Sequence, residues 1–162
     1  MYHHFENKAA VALAAIERST EQLCQAAEKD LMSPYTAIER IAAYLNRERE
    51  VLRGCRAGRL TQDPDVIANP RLRLPLQQMF TKLQQRLASV LEEGKMTGEF
   101  TAEMSGQDIA ATIIAVLQGG YVLARAENSV EPFDRAIRGV LFLLKAQAPP
   151  SLPKRKRALT RS

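Results

Sequence analysis

Few residues in this chain are of a type and spacing that could do chemistry. The two histidines, His3 and His4, are neighbours in sequence. Their side chains therefore leave the backbone in different directions, and they make poor joint metal ligands. No third histidine exists to serve as a general base for the Ser, Thr or Cys residues further along. Cys24 and Cys55 lie 31 positions apart, and neither has a second Cys or a His at ligand spacing. This excludes a disulfide framework or zinc site and suits a reducing cytoplasm. Asp63 and Asp65 flank Pro64 and read as turn formers, and Glu92-Glu93 as a solvated helix end. No Gly-rich phosphate loop followed by Lys-Ser or Lys-Thr occurs. The chain is expected to be no enzyme and to need no metal or cofactor.

The more promising groups are polar or amphipathic side chains set among apolar ones. Gln118 and Tyr121 interrupt an otherwise apolar run, so burial would oblige them to find hydrogen-bond partners. A small molecule could supply these. Backbone, water or a subunit seam at Gln118 could do so equally. Pockets for small molecules combine an apolar lining with a few polar anchors. On that ground the candidate pocket residues are Tyr44, Cys55, Met79, Phe80, Leu83, Ile113, Gln118 and Tyr121. Cys55 reads as a redox thiol or as a small buried hydrophobe.

The elements that must position them are helical. Ala, Leu, Arg, Glu and Gln dominate, and no stretch alternates as a strand would. Asn7 is a suitable N-cap for a helix from Lys8 to about Leu31, with Leu13, Ile16, Thr20, Leu23, Ala27 and Leu31 along one face. Ser33-Pro34 opens a second helix, ended by Gly54, whose inner face is Ile38, Ile41, Leu45 and Leu52. The stretch 54–69 is irregular, with a short helix near Asp65 to Ala68. Asn69-Pro70 opens a third long helix, carried by Leu76, Phe80, Leu83, Leu87 and Leu91, with Gly94 and Gly98 at its end. Ser105-Gly106-Gln107-Asp108 resembles a capping box and opens a helix to about Ala126. The last helix starts at Pro132 and reaches about Ala146. The fold class is all-α. The apolar stretches read as too short and too interrupted by polar residues to cross a membrane, and no membrane partner is expected.

The last two helices carry apolar residues on more than one face. Ala111, Ala115 and Gly119 form a small-residue line at i, i+4, which permits close helix approach. Together with Ile137, Val140, Leu141 and Leu144 they are the expected dimer interface, a four-helix bundle about a two-fold axis. The alternative is a helix central to its own monomer. From Ala148 the chain is Pro-rich and then basic. Of 23 basic residues five lie in that tail, which leaves 18 against 18 acids, so the formal +5 belongs to the tail. The segment 148–162 is expected to be a disordered basic tail. It could hold nucleic acid non-specifically, with strong salt dependence, or simply keep the chain soluble.

Two segments and their order resemble one family. Tyr2-His3-His4-Phe5-Glu6-Asn7-Lys8 is similar to the end of the helix-turn-helix of tetracycline-repressor-like (TetR) transcription regulators. Gly54-Cys55-Arg56-Ala57-Gly58-Arg59-Leu60-Thr61, the later Phe80, Leu83 and Leu87, and Glu93-Gly94 through Gly98-Glu99-Phe100 resemble the regulatory domain of that family. Leu117-Gln118-Gly119-Gly120-Tyr121 resembles its interface helix. The resemblance implies a bacterial cytoplasmic homodimer that senses a small apolar or amphipathic effector and binds operator DNA through an N-terminal head. It divides the chain into a helix-turn-helix remnant at 1–7, a ligand-binding and dimerisation domain at 8–147, and the tail. It implies phosphate contacts from Tyr2, His4 and Lys8, the last at a helix N-terminus suited to an anion. A helix-turn-helix reads bases with the start of its second helix. That part would precede Met1, so the expectation is an N-terminally truncated regulator, a repressor in kind, whose operator binding needs the missing helices. The alternative is a headless sensing or heterodimerising module; a third reading is an unrelated helical bundle.

Overall fold

A computed structural model of the chain describes the backbone of residues 2–149 and the side chains of residues 8–149. Among the described residues seven α-helices follow one another: α1 (Tyr2–Leu31), α2 (Ala37–Asn46), α3 (Arg56–Leu60), α4 (Pro64–Ala68), α5 (Pro70–Met96), α6 (Gly106–Glu127) and α7 (Glu131–Lys145). A single 3-10 turn, Val51–Arg53, stands between α2 and α3. No strand occurs among the described residues. The fold is all-α.

Local chemistry sets most of the boundaries. Asp63 accepts from the N–H groups of Asp65 and Val66 and starts α4, with Pro64 in its first turn. Asn69 does the same for α5 through Arg71, and Ser105 for α6 through Asp108. Asn128 closes α6 in the left-handed conformation, φ 49°.

Three expected boundaries move. α2 starts at Ala37 rather than at Ser33-Pro34, because Thr36 and Glu39 cap each other reciprocally. The Ser33 hydroxyl instead donates to the Asp30 carbonyl at the end of α1. α2 also stops at Asn46 instead of reaching Gly54, and Leu52, expected on its inner face, is 44% exposed. Finally, α1 begins at Tyr2. Asn7 is therefore no cap, and Lys8 lies well inside a helix whose N–H groups are already engaged. The free N–H groups expected beside Lys8 for an anion are not there. The side chains of Tyr2 and His4 lie outside the described residues, as does the tail from Pro150 onward.

The apolar residues form two clusters. The larger joins the end of α1 (Ala27, Leu31), α2, the second half of α5 (Leu87, Val90, Leu91), α6 and α7. The smaller joins Ile16 of α1, Ala57 of α3, Val66 of α4 and the first half of α5 (Leu72, Leu76, Met79). Only α1 and α5 contribute buried residues to both. α6 is long and apolar enough to cross a membrane, contrary to the sequence expectation. In this fold its Ala110, Ile113, Leu117, Gly120 and Ala124 are buried within the chain.

The ends of α2 and α5 meet closely. Both carboxylate oxygens of Glu99 accept from the first N–H groups of α2, from Ala37 at 3.1 Å and Ile38 at 3.2 Å. Gly94 makes this approach possible, since a Cβ there would stand 2.6 Å from the Phe100 ring and 2.8 Å from Ala37 Cβ. Helix propensity favours Gly94→Ala by about 1 kcal/mol, but overpacking costs about 1–3 kcal/mol. Urea denaturation is expected to show a net loss of stability for Gly94→Ala. A gain would mean that this junction is loosely packed.

Candidate ligand-binding site

Between the two clusters lies a cavity of ≈ 770 Å³, within the usual range for small-molecule sites. Each wall follows from helix periodicity. α1 presents Ser19, Gln22, Leu23 and Ala26, spaced as one face of a helix. α5 supplies Met79, Phe80 and Leu83, and α6 supplies Leu117, Gln118 and Tyr121. Tyr44 of α2 and the irregular run from Arg47 to Arg56 close the remaining side. A smaller hollow of ≈ 300 Å³ adjoins it across Gly54 and Cys55.

Seven of the eight expected pocket residues line this cavity: Tyr44, Cys55, Met79, Phe80, Leu83, Gln118 and Tyr121. Ile113 does not. It is wholly buried in the larger cluster, one helical turn before Leu117. Gln118 faces inward against α3, where a Cβ on Gly58 would collide with its Oε1. Gly58 thus gives the Gln118 amide its room.

Sequence reasoning missed the arginines. Arg47, Arg49, Arg53, Arg56 and Arg59 all line the cavity. By sequence, Arg47, Arg49 and Arg53 fall inside the expected second helix and Arg56 and Arg59 in the irregular stretch after it, and none of them is expected in the pocket. Arg49 instead folds back on the end of α2. Its Nη1 donates to the carbonyls of Leu45 and Arg47, each at 2.7 Å, and its Nη2 to that of Tyr44. Burial pulls its pKa below the usual arginine value. The guanidiniums of Arg47 and Arg49 lie 5.3 Å and 5.5 Å from the Tyr44 ring centroid, within cation–π range.

The two phenols are held neutral. Burial raises the pKa of Tyr44, and that of Tyr121 is pushed up to about 12 by burial, with Arg49 opposing. The Tyr121 ring is braced by Phe133 at 4.9 Å. Both phenols can therefore donate an O–H into the cavity at neutral pH. Both cysteines are free thiols. The Cys55 sulfur accepts from the Gly58 N–H at 3.5 Å and caps α3, a structural task that the sequence did not suggest. Burial raises the pKa of Cys24.

The expected dimer residues divide. Ala111 and Ala115 are exposed, and Gly119 has open space where a Cβ would stand. Ile137, Val140 and Leu144 are buried in the larger cluster of their own chain, and Leu141 is half-buried against it. The core takes that stripe because it recurs at steps of three and four on the inner face of α7. Phe142 and Leu143, 73% and 63% exposed, stand outward in its place.

Comparison with known proteins places this arrangement. The family model described as "Tetracyclin repressor-like, C-terminal domain" matches residues 35–140. No curated protein matches the chain. Among solved structures, a TetR transcriptional regulator from Chloroflexus aurantiacus J-10-FL superposes with a TM-score of 0.79 at 24% identity, covering 91% of this chain and 77% of that one. A TetR-family regulator from Cytophaga hutchinsonii gives 0.78 at 22% identity, over 91% and 76% of the two chains. E. coli NemR in its reduced form gives 0.71 at 22% identity, over 86% and 75%. At these identities the likeness concerns the fold.

Tyr121 permits a direct test of the burial around the cavity. Its folded pKa of about 12 exceeds that of an ordinary phenol, about 10. The unfolded chain therefore loses this proton first. The stability Tyr121 contributes is complete below pH of about 10 and is lost as pH rises toward 12. Urea midpoints across that alkaline range should fall more steeply for the wild type than for Tyr121→Phe. Equal slopes would show that the phenol is not held neutral by the fold.

Proposed function

The chain belongs to the family of tetracycline-repressor-like C-terminal domains, and from that premise we propose that it senses a small-molecule effector and dimerises within a TetR-type transcriptional repressor of the bacterial cytoplasm. The observation that carries this reading is the cavity against the middle of α1. Ser19, Gln22, Leu23 and Ala26 wall it, and the same helix runs without interruption back to Tyr2. Whatever fills the cavity touches the helix that leads toward the N-terminal end, where regulators of this kind carry a DNA-reading head.

The mechanism is a coupling of two equilibria. An effector wedged between α1 and the α5–α6 wall favours one setting of α1, and operator DNA favours another. Each ligand then weakens the other by the same factor. The groups that line the cavity are guanidiniums, the carboxylates of Glu48 and Glu50, neutral phenols, two amides, the Cys55 thiol and apolar side chains, a mixed set that can bind an amphipathic small molecule. An exposed Lys8 on α1 can still reach a DNA phosphate by its flexible stem.

Two copies are needed for two heads. The outer faces of α6 and α7 support a two-fold pairing. Val122, Phe142 and Leu143 are exposed apolar groups, and nothing lies within 4 Å of a Cβ built on Gly119 or Gly139. Helices can approach closely over such small residues, as in a four-helix bundle between subunits.

Sedimentation equilibrium should give the wild type about twice its 18.1 kDa chain mass. Ala115→Arg and Leu143→Arg should each give a monomer with unchanged helicity, since both sites are exposed. Chromatin recovered with the protein from its native cell should be enriched at a few discrete inverted repeats, and the two variants should lose them. A monomeric wild type, or uniform DNA recovery, overturns the reading.

A further inference from the structure

The cavity carries a charge that its apolar floor does not explain. Five arginines line it, against Glu48 and Glu50. Glu50 is taken by Arg53 at 3.1 Å. The acid beside Arg47 is Asp30, at 3.7 Å, beyond hydrogen-bond distance. Arg47 Nη1 is buried and has no hydrogen-bond partner among the described residues. Arg49 has partners, but they are neutral carbonyl oxygens that leave its charge uncancelled. Asp30 opposes the Arg47 charge, but a guanidinium withdrawn from water is costly unless its N–H groups are also hydrogen-bonded. On the other side of the same space, Leu23, Phe80 and Leu83 offer only apolar surface.

We propose that the effector is an amphipathic anion, a carboxylate on an apolar body, with its head toward Arg47 and the Tyr44 and Tyr121 phenols and its body against Leu23, Phe80 and Leu83. The inference rests on the reading of the cavity as an effector site and adds the chemical class of the ligand. A carboxylate matches the planar fork of Arg47 and accepts from the two phenols at once. A cation would meet five arginines against Glu48, Glu50 and the Asp30 beside Arg47, a net excess of two positive charges. A neutral ligand without a strong acceptor would leave Arg47 Nη1 as it stands, buried beside Asp30 without a hydrogen bond.

The test uses the full chain and two matched sets of probes. One set is decanoate, decanol and decylamine; the other is naphthylacetate, naphthylethanol and naphthylmethylamine. Affinities come from calorimetry, with circular dichroism and thermal melts as controls on folding. Each carboxylate should bind about tenfold or more tighter than its alcohol, as charge-assisted hydrogen bonds require, and each amine should bind worst. R47Q should bring carboxylate and alcohol together while leaving the alcohol affinity in place. If R47Q does not fold, R56Q with R59Q, both exposed, should narrow the same gap. An alcohol that binds as tightly as its carboxylate overturns the anionic effector. So does a carboxylate preference that survives all three substitutions. Leu83→Trp, which fills the apolar end, separates the two layers of the argument. If it abolishes alcohol binding, the cavity stands as a ligand site even where the anion does not. If no probe binds, or binding ignores Leu83→Trp, the effector-site reading itself falls and the anion with it.

Discussion

A buried guanidinium has to be surrounded by oxygen, and much of this fold follows from how Arg49 meets that demand. It turns back onto the C-terminal carbonyls of α2, from Tyr44, Leu45 and Arg47. These carbonyls have no partner within the helix and carry the negative end of its dipole, so a cation is the natural group to receive them. The contact ends α2 at Asn46, two turns earlier than its apolar pattern suggests. It commits the chain to an irregular path from Arg47 to Cys55. It also fixes a positive charge over the Tyr44 ring at the wall of the cavity.

That path keeps the two apolar clusters apart. Had α2 continued to Gly54, its inner face would have extended the larger cluster toward α3. Instead the gap is bridged only by Cys55 and Leu83, which pack against both. A cleft of ≈ 770 Å³ that opens to solvent past Gln22, Arg53, Arg56 and Arg59 interrupts packing that elsewhere approaches the density of organic crystals. Its polar share explains why it does not collapse. Arginines and neutral phenols cannot be pressed into an apolar core without losing their partners. The architecture thus spends its apolar residues on two cores and gathers its polar ones at the seam.

The helical periodicities were legible because each long helix repeats its pattern over several turns. The cores of α1, α5 and α7 fall on the stripes seen in the sequence, and seven cavity residues were identifiable as polar or bulky groups on the inner faces of helices. What was not legible depended on long-range contacts. Arg47-Glu48-Arg49-Glu50 falls inside the helix expected to end at Gly54, and nothing local says that Arg49 will turn back on an earlier end. Ile113 and Leu117 are one turn apart on one face, and only the placement of α2 and the following loop decides which of them meets open space. Ile137, Val140 and Leu144 illustrate a related ambiguity. An apolar stripe announces burial but not whether the covering surface belongs to the same chain. The capping of α2 was legible in principle, since Thr36 and Glu39 have the spacing of a capping box; Ser33-Pro34 offered a competing start.

The seam also determines where a ligand can act. α1 contributes Ile16 to one cluster and Ala27 and Leu31 to the other, so it is anchored on both sides of the cavity and crosses it in between. On the proposed reading, a ligand at Leu23 would press on the helix near the middle of a span held at two places. Such a helix would bend between its anchors or pivot about one of them, and a pivot near Ile16 would carry the displacement toward Tyr2. The energy available is only the difference in the ligand's contacts between the two settings. Apolar contact with Leu83 and Phe80 on α5 would be nearly the same in both. The discriminating contacts must then be those that span the gap from α1 to the arginine-bearing loop. On the same proposed reading, affinity can reside on α5 and α6, but coupling would reside between Gln22 or Leu23 and the segment that Arg49 holds in place.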